Sequence, residues 1–350
     1  MIALIKKTMI WIFGILIIFI ALATSTGFWM SAPKYNGPES DHFNGKKFIN
    51  PGNVEAKGFK EVLKWSLNRE PGAWEPNLDA PYIYEKTNSV EKDKMALTFV
   101  NHSTFLIQTA SLNILTDPVW SERTSPVSFA GPKRMRPPGI RFEDLPDIDI
   151  VLISHNHYDH LDVNTLKRLQ ETFAPTFVAP LGVKAQIDQE IGGECIEMDW
   201  WDEIPVKDLP IACVPAQHFS GRGISDRDAT LWAGYVIVSD WGNVYFAGDT
   251  GYGNFFKEIA RQYPPKLSLL PIGAYLPKWF MSPIHTSPED AVQIHLDMES
   301  PKSIGIHYGT FPLADDGQHE PIHDLKSARA KHGVPEDAFM VLKEGETTYF

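Results

Sequence analysis

The stretch SHNHYDHLD, residues 154–162, places three histidines and two aspartates in nine positions directly behind the apolar run IDIVLI. A buried strand that ends in so many polar side chains ends in a binding site. His155, His157, Asp159 and His160 follow the spacing H-x-H-x-D-H. In a turn after a strand, His155 and His157 can face one side, and Asp159 and His160 the other. Neutral imidazole nitrogens and carboxylate oxygens are the donor set of zinc and similar divalent ions. One such turn supplies partial shells for two ions, and each shell needs further donors from elsewhere.

The chain offers those donors at one recurring kind of position. IACVPAQH ends in His218, NVYFAGD in Asp249 and SIGIH in His307. Each closes an apolar strand, and strand ends converge on one rim of a sheet. Asp249, with two oxygens, suits a bridge between two ions. A single buried histidine is ordinarily a hydrogen-bonded core residue; a set of them at strand ends points to a metal centre. Asp117 closes LNILTD and reads as the partner that orients a ligand histidine through its other ring nitrogen. The competing reading is a turn-forming Asp before Pro118. His285 lies in a loop ahead of TSPEDAVQIH, a helix with Ser287 as N-cap and Pro288 at its first position. His102, in VNHSTFLIQ, reads as structural, with a position near the site as the alternative. His319 and His323, in HEPIHD, are separated by Pro321, which breaks helical spacing and favours a solvated loop. Ser220, in HFSGRG, sits in a metal-ligand turn rather than a nucleophile elbow.

Strands are numerous and helices fall between some of them, a mixed α/β pattern with two sheet segments. MALTFVNHSTFLIQTASLNILTDPVW reads as paired strands, and DVNTLKRLQETF as a helix with Asp162 as N-cap. Residues 95–350 form the expected catalytic domain. Residues 31–94, rich in Pro, Gly, Asn and Lys, read as an extended arm with a short helix at 58–69. With 350 residues and 43% hydrophobic content the chain can bury a large core. A formal charge of −12 excludes nucleic acid as a default partner. Two cysteines, Cys195 and Cys213, cannot build a Cys-rich zinc module and read as free buried thiols.

Residues 1–30 carry Lys6 and Lys7 and then no charge until Lys34. The apolar part, from Met9 to Ala23 and on to Met30, approaches the roughly 20 residues needed to cross a bilayer. It reads as an uncleaved N-terminal transmembrane helix with the catalytic domain on the non-cytoplasmic side. A cleaved signal peptide, suggested by ALA at 21–23, is the competing reading.

These motifs resemble the metallo-β-lactamase fold superfamily over about residues 95–311. The resemblance implies an αββα sandwich with the site at one edge. It implies His155, His157 and His218 on one metal, Asp159, His160 and His307 on a second, and Asp249 bridging them. VLISHNHYDHLD, PAQHFSGRG, YFAGDTGY, LLPIGAYLPKWFM, HTSPEDAVQIH and IGIHYGTFPL further resemble N-acylphosphatidylethanolamine-hydrolysing phospholipase D and its bacterial relatives. That similarity implies two zinc ions, or another divalent pair, and a phospholipid substrate at a membrane. It places His285 beside the metals, where it could hydrogen-bond phosphate or protonate a leaving oxygen. Asp159 and His285 are thus the candidate catalytic residues. A lactonase, a hydrolase of soluble phosphodiesters and a non-enzymatic envelope protein are the alternatives, and a homo-oligomer stays open.

Two stretches could meet lipid. GPKRMRPPGIR clusters Lys133, Arg134, Arg136 and Arg141 in an otherwise acidic chain. AYLPKWFMSP presents Tyr275, Trp279 and Phe280, which line an acyl groove if exposed and are core if buried. Asp199, Trp200 and Trp201 read as packing residues.

Overall fold

The computed structural model describes residues 11, 13, 24–77, 81–87, 89–240 and 242–350. Two mixed sheets of seven strands carry the fold. The first orders β14 (Thr347–Tyr349), β1 (Ala96–Asn101), β2 (Thr104–Gln108), β3 (Asn113–Thr116), β4 (Ile150–Leu152), β5 (Thr176–Pro180) and β6 (Cys195–Met198). The second orders β13 (Phe339–Met340), β12 (Lys302–Ile306), β11 (Pro265–Pro271), β10 (Asn243–Phe246), β9 (Gly234–Ile237), β8 (Leu209–Val214) and β7 (Glu203–Val206).

Side chains alternate across a strand, so a sheet buried on both faces must be apolar at both parities. Sheet one obeys this rule. Leu97, Phe99, Phe105, Ile107, Ile114, Ile150, Leu152 and Val178 join the large core shared with sheet two. Their neighbours Val100, Leu106, Leu115, Val151, Ile153, Phe177 and Ala179 pack the other way, with Leu166 and Leu169 of the helix Val163–Phe173 and Ile187 of Val183–Glu190. The helices Phe255–Gln262, Pro288–Asp297 and Glu320–His332 add Phe256, Ile259, Val292, Ile294 and Leu325 to the core of sheet two. Each fully buried Leu, Ile or Phe contributes about 1.5–3 kcal/mol. The layers are those of an αββα sandwich.

Strand direction then decides where the polar strand ends go. β3, β4, β5 and β6 run parallel, as do β10, β11, β12 and β13. β8 is antiparallel to β9 and β9 to β10, so β8 and β10 point the same way. The ends of β3, β4, β8, β10 and β12 therefore deliver Asp117, His155, His218, Asp249 and His307 to one edge.

Several local expectations change. Asp162 occupies the N-cap position without capping; its carboxylate accepts instead from Ser121 N (2.9 Å), Ser121 Oγ (2.8 Å) and Thr165 Oγ1 (2.6 Å). Ser287 does cap its helix, in a reciprocal box with Asp290. His319 lies in the turn before the helix Glu320–His332, but His323 is inside that helix: Pro321 sits in its first turn, where its missing N–H costs nothing. The basic cluster is not a free patch. Arg134 is buried, while Lys133, Arg136 and Arg141 pair with Glu122, Glu344 and Asp144.

The arm contains the helix Phe59–Leu67 but is packed rather than free. Phe43 and Phe48 join Ala216, Leu231 and Trp232 in a small core. His42 stacks on Trp200 with ring centroids 4.5 Å apart and bonds Asp199 at 2.7 Å. Cys195 and Cys213 are free and buried. Among the described residues no helix is long and apolar enough to cross a membrane. Most of the expected span, all of 1–23 except 11 and 13, lies outside the described residues.

Candidate metal centre

The turn after β4 and four other strand ends meet in one buried cluster. His155 Nε2 and His157 Nδ1 lie 2.8 Å apart, and His218 Nε2 is 3.2 Å from the same His157 nitrogen. The other ring nitrogens fix the tautomers. Ser154 Oγ donates to Asp117 Oδ2 (2.6 Å) and so accepts from His155 Nδ1 (2.9 Å). His218 Nδ1 donates to the carbonyl of Ile284 at 2.8 Å. The lone pairs of His155 Nε2 and His218 Nε2 thus both face His157 Nδ1, which can donate to only one of them. A cation held by all three resolves that conflict.

The second group is richer in carboxylate. His160 Nε2 is 3.3 Å from both Asp159 Oδ2 and Asp249 Oδ2. His307 Nε2 is 3.3 Å from Asp159 Oδ2 and 3.1 Å from Asp249 Oδ2. Asp249 also approaches His218 (3.7 Å) and His285 Nδ1 (3.8 Å), so one carboxylate serves both groups. Asp117 holds His160 Nδ1 at 2.5 Å. The glycine ahead of Asp249 is required: Gly248 has φ 60°, and a Cβ there would sit 2.5 Å from the Ser154 side chain.

Electrostatics divide the cluster the same way. Burial drives His155 and His218 well below the ordinary imidazole value and His157 and His285 down to about 4. Burial opposes charge on His160 and His307 as well, but Asp249 and Asp159 overcome it. They raise His160 well above its usual value and His307 to about 9. Asp159 and Asp249 are correspondingly held low despite burial, His160 contributing most to that.

The donor set fits divalent metal. Within the cluster, His160 Nε2, Asp249 Oδ1 and His285 Nδ1 are buried with no hydrogen-bond partner among the described residues. Each such atom costs about 1–3 kcal/mol if left unmatched. Two donor sets, His155–His157–His218 and His102–Asp159–His160–His307, each have their donor atoms within 4.8 Å of one another, and the sets His155–His160–Asp249 and His218–Asp249–His285 link them. The backbone is also strained here, with His102, Asp117 and His307 at φ 50°, 33° and 59°.

The match of residues 112–308 to the Beta-lactamase superfamily domain covers more than half of the chain. This chain belongs to the beta-lactamase superfamily. The superfamily member is 35% identical over 328 residues to N-acyl-phosphatidylethanolamine-hydrolyzing phospholipase D 1 of Caenorhabditis elegans, covering 87% of this chain and 92% of that one. It is 39% identical over 276 residues to an uncharacterized Mycobacterium tuberculosis protein (76% of this chain, 73% of that one). Its fold matches Igni18, a metallo hydrolase of the archaeon Ignicoccus hospitalis, with a TM-score of 0.56 and 26% identity over 73% of this chain and 98% of that one. The superfamily member is a metal-dependent hydrolase.

All seven candidate ligands thus meet, as do Asp117 and His285. Tyr275 and Phe280 do not act as an exposed groove. Tyr275 is 1% exposed and donates its hydroxyl to Asp324 at 2.6 Å, and Phe280 stacks on Trp65 at 5.0 Å. Trp279 alone of the three is exposed, at 44%. His102 was read as structural, yet its Nε2 bonds Asp159 Oδ2 at 2.9 Å and its ring lies 4.1 Å from that of His307. Its position after a strand in VNHST was the available signal. Ser154 carried none, because serine before a histidine is ordinary. Ser220 is buried and donates to Thr230 O at 2.6 Å, consistent with its exclusion as a nucleophile.

Proposed function

We propose that this hydrolase binds two zinc ions and cleaves a phosphodiester, by phospholipase D-type hydrolysis of N-acylphosphatidylethanolamine or a related phospholipid. The observation that carries the reading is the shared carboxylate of Asp249, within 3.1–3.7 Å of histidines from both donor sets. Identity to the nematode phospholipase D over nearly its whole length supports the substrate class.

His155, His157 and His218 would hold one ion and Asp159, His160 and His307 the other, with Asp249 between. When bound, such a pair acidifies water and neutralises charge on phosphate oxygens. The residues supply the rest. Asp117 and Ser154 lock His160 and His155 in the tautomers that aim Nε2 inward. His102 holds Asp159. His285, with its Nδ1 unpartnered, would hydrogen-bond a phosphate oxygen; burial keeps it neutral, so it would protonate the leaving oxygen only after taking up a proton in the substrate complex.

A cavity of about 560 Å³ opens beside His218, lined by Phe48, Val54, Phe59, Phe219 and Trp232, with Arg227 and Lys47 also at its wall. Lys47 and Arg227 both lie against Asp228, which shares that wall, so it is the apolar lining that suits an acylated substrate. Membrane contact is part of the proposal. Phe59, Leu63 and Leu67, four residues apart on one helix, are 79%, 49% and 75% exposed, and Phe28, Trp29 and Trp279 are exposed too. The apolar N-terminal segment would anchor the chain, with the catalytic domain on the non-cytoplasmic side.

The test is incubation of zinc-loaded protein with N-acylated and ordinary phospholipids, soluble phosphodiesters and lactones, with His157→Ala as control. Phosphatidic acid and N-acylethanolamine, absent with the variant, are expected. Turnover confined to lactones or soluble diesters, or equal turnover by the variant, overturns the assignment.

A further inference from the structure

The loop that carries His218 is gripped from outside the catalytic domain. Asn50, in the arm, is 8% exposed. Its Oδ1 accepts from His218 N (2.8 Å) and from Trp232 Nε1 (2.8 Å). Its Nδ2 donates to His218 O (2.7 Å) and to Val54 O (3.0 Å). A primary amide has two donors and room for two acceptor bonds, so all of its capacity is used. Two of the four bonds clasp the N–H and C=O of the same residue, as a neighbouring strand would.

That grip matters because of what else holds His218. The ring is tied at Nδ1 to Ile284 O, and Nε2 faces His157 and Asp249. Two fixed backbone atoms and one fixed ring nitrogen leave the remaining nitrogen little freedom. The arm can supply such a clamp because it is itself rigid here. Asn50 is held extended, with φ −66° and ψ 154°, ahead of Pro51. Gly52 at φ 67° turns the chain so that Val54 returns to the Asn50 amide. On the other side Phe43 and Phe48 are seated against Trp232 and Ala216. The superfamily match begins at residue 112, so Asn50 lies outside the matched domain.

We propose that Asn50 is a positioning residue for the metal centre: the arm completes the site by fixing the backbone of His218. The inference rests on the reading of His218 as a metal ligand. Asn50 touches no reacting atom and acts only through that histidine.

The experiment compares zinc affinity, by chelator competition, and the visible spectrum of the cobalt-substituted protein. The set is the full chain and its Asn50→Ala, Asn50→Asp, Trp232→Phe and His218→Ala variants, with thermal unfolding of each metal-free protein alongside. Asn50→Ala should weaken one of two ions by about 10–100-fold and change the cobalt bands, the loss typical when a ligand's support is removed. Trp232→Phe deletes another partner of the same amide but leaves the clasp on His218. It should keep zinc affinity within about twofold even where unfolding temperature falls as far. Asn50→Asp keeps the acceptor and loses the donor; it serves if the alanine variant does not fold, and should also weaken one ion. Unchanged affinity and spectra in both Asn50 variants, with one ion lost in His218→Ala, would overturn the inference alone. Both ions retained in His218→Ala would instead overturn the metal-centre reading beneath it.

Discussion

The two halves of the cluster share a carboxylate and little else. The half built from His155, His157 and His218 is imidazole without a carboxylate of its own, and burial keeps it uncharged. The half built from Asp159, His160 and His307 is dominated by carboxylates, which draw protons on to its histidines in spite of burial. Desolvation acts on both halves, yet their charge states are opposite, because the carboxylates stand nearer one set of rings than the other. The lesson is that burial alone does not set the chemistry of a metal-binding histidine; the nearest anion does.

The largest expected effect comes from removing what the halves share. Asp249→Asn should cut hydrolysis by about 1,000-fold or more and weaken both ions together. Loss of one ion alone, seen by metal analysis after gel filtration, would mean that the halves are independent.

The next effect should be confined to one half. Asp117→Asn replaces the carboxylate that receives His160 Nδ1 and the Ser154 hydroxyl. It should lower affinity for the ion of the carboxylate-rich half by about 10–100-fold and weaken the other by no more than about fivefold, through the Ser154 link to His155. Equal weakening of both in a chelator titration would contradict the division.

Acidity should separate the halves further. With its pKa raised to about 9, His307 is protonated at pH 7, and an ion must displace that proton. A raised pKa means the proton leaves only as pH rises, so uptake there should strengthen from pH 6 to 9, by about tenfold per unit for each proton displaced. His157, lowered to about 4, is neutral throughout that window, and its half should show little change. Calorimetry in buffers of different ionisation enthalpy counts the protons; equal release for the two zinc equivalents would sink the contrast.

The smallest effect belongs to the residue that touches both halves. Ser154→Ala removes a donor to Asp117 and an acceptor for His155 Nδ1. Each lost bond is worth about 1 kcal/mol, or about fivefold in affinity, so both ions should weaken modestly and alike.

The candidate donor cluster and the mixed α/β pattern could be read from the order of residues alone. H-x-H-x-D-H behind a buried strand, and single polar residues closing other apolar runs, require neither contacts nor register to be read. Numerous apolar strands with helices between some of them likewise read as a mixed α/β pattern with two sheet segments, and the αββα layering followed from the family resemblance. What the tertiary structure alone decided is what reaches the site from far along the chain. Asn50 lies in a Pro- and Gly-rich arm, and its role exists only once Phe43 and Phe48 seat that arm against Trp232. Tyr275 and Phe280 have the composition of a lipid groove, but Asp324 and Trp65 draw them inward. The reason is the range of the forces. Strand periodicity and ligand spacing are local and survive in the one-dimensional record, whereas burial and hydrogen-bond partnership depend on which distant segment arrives alongside.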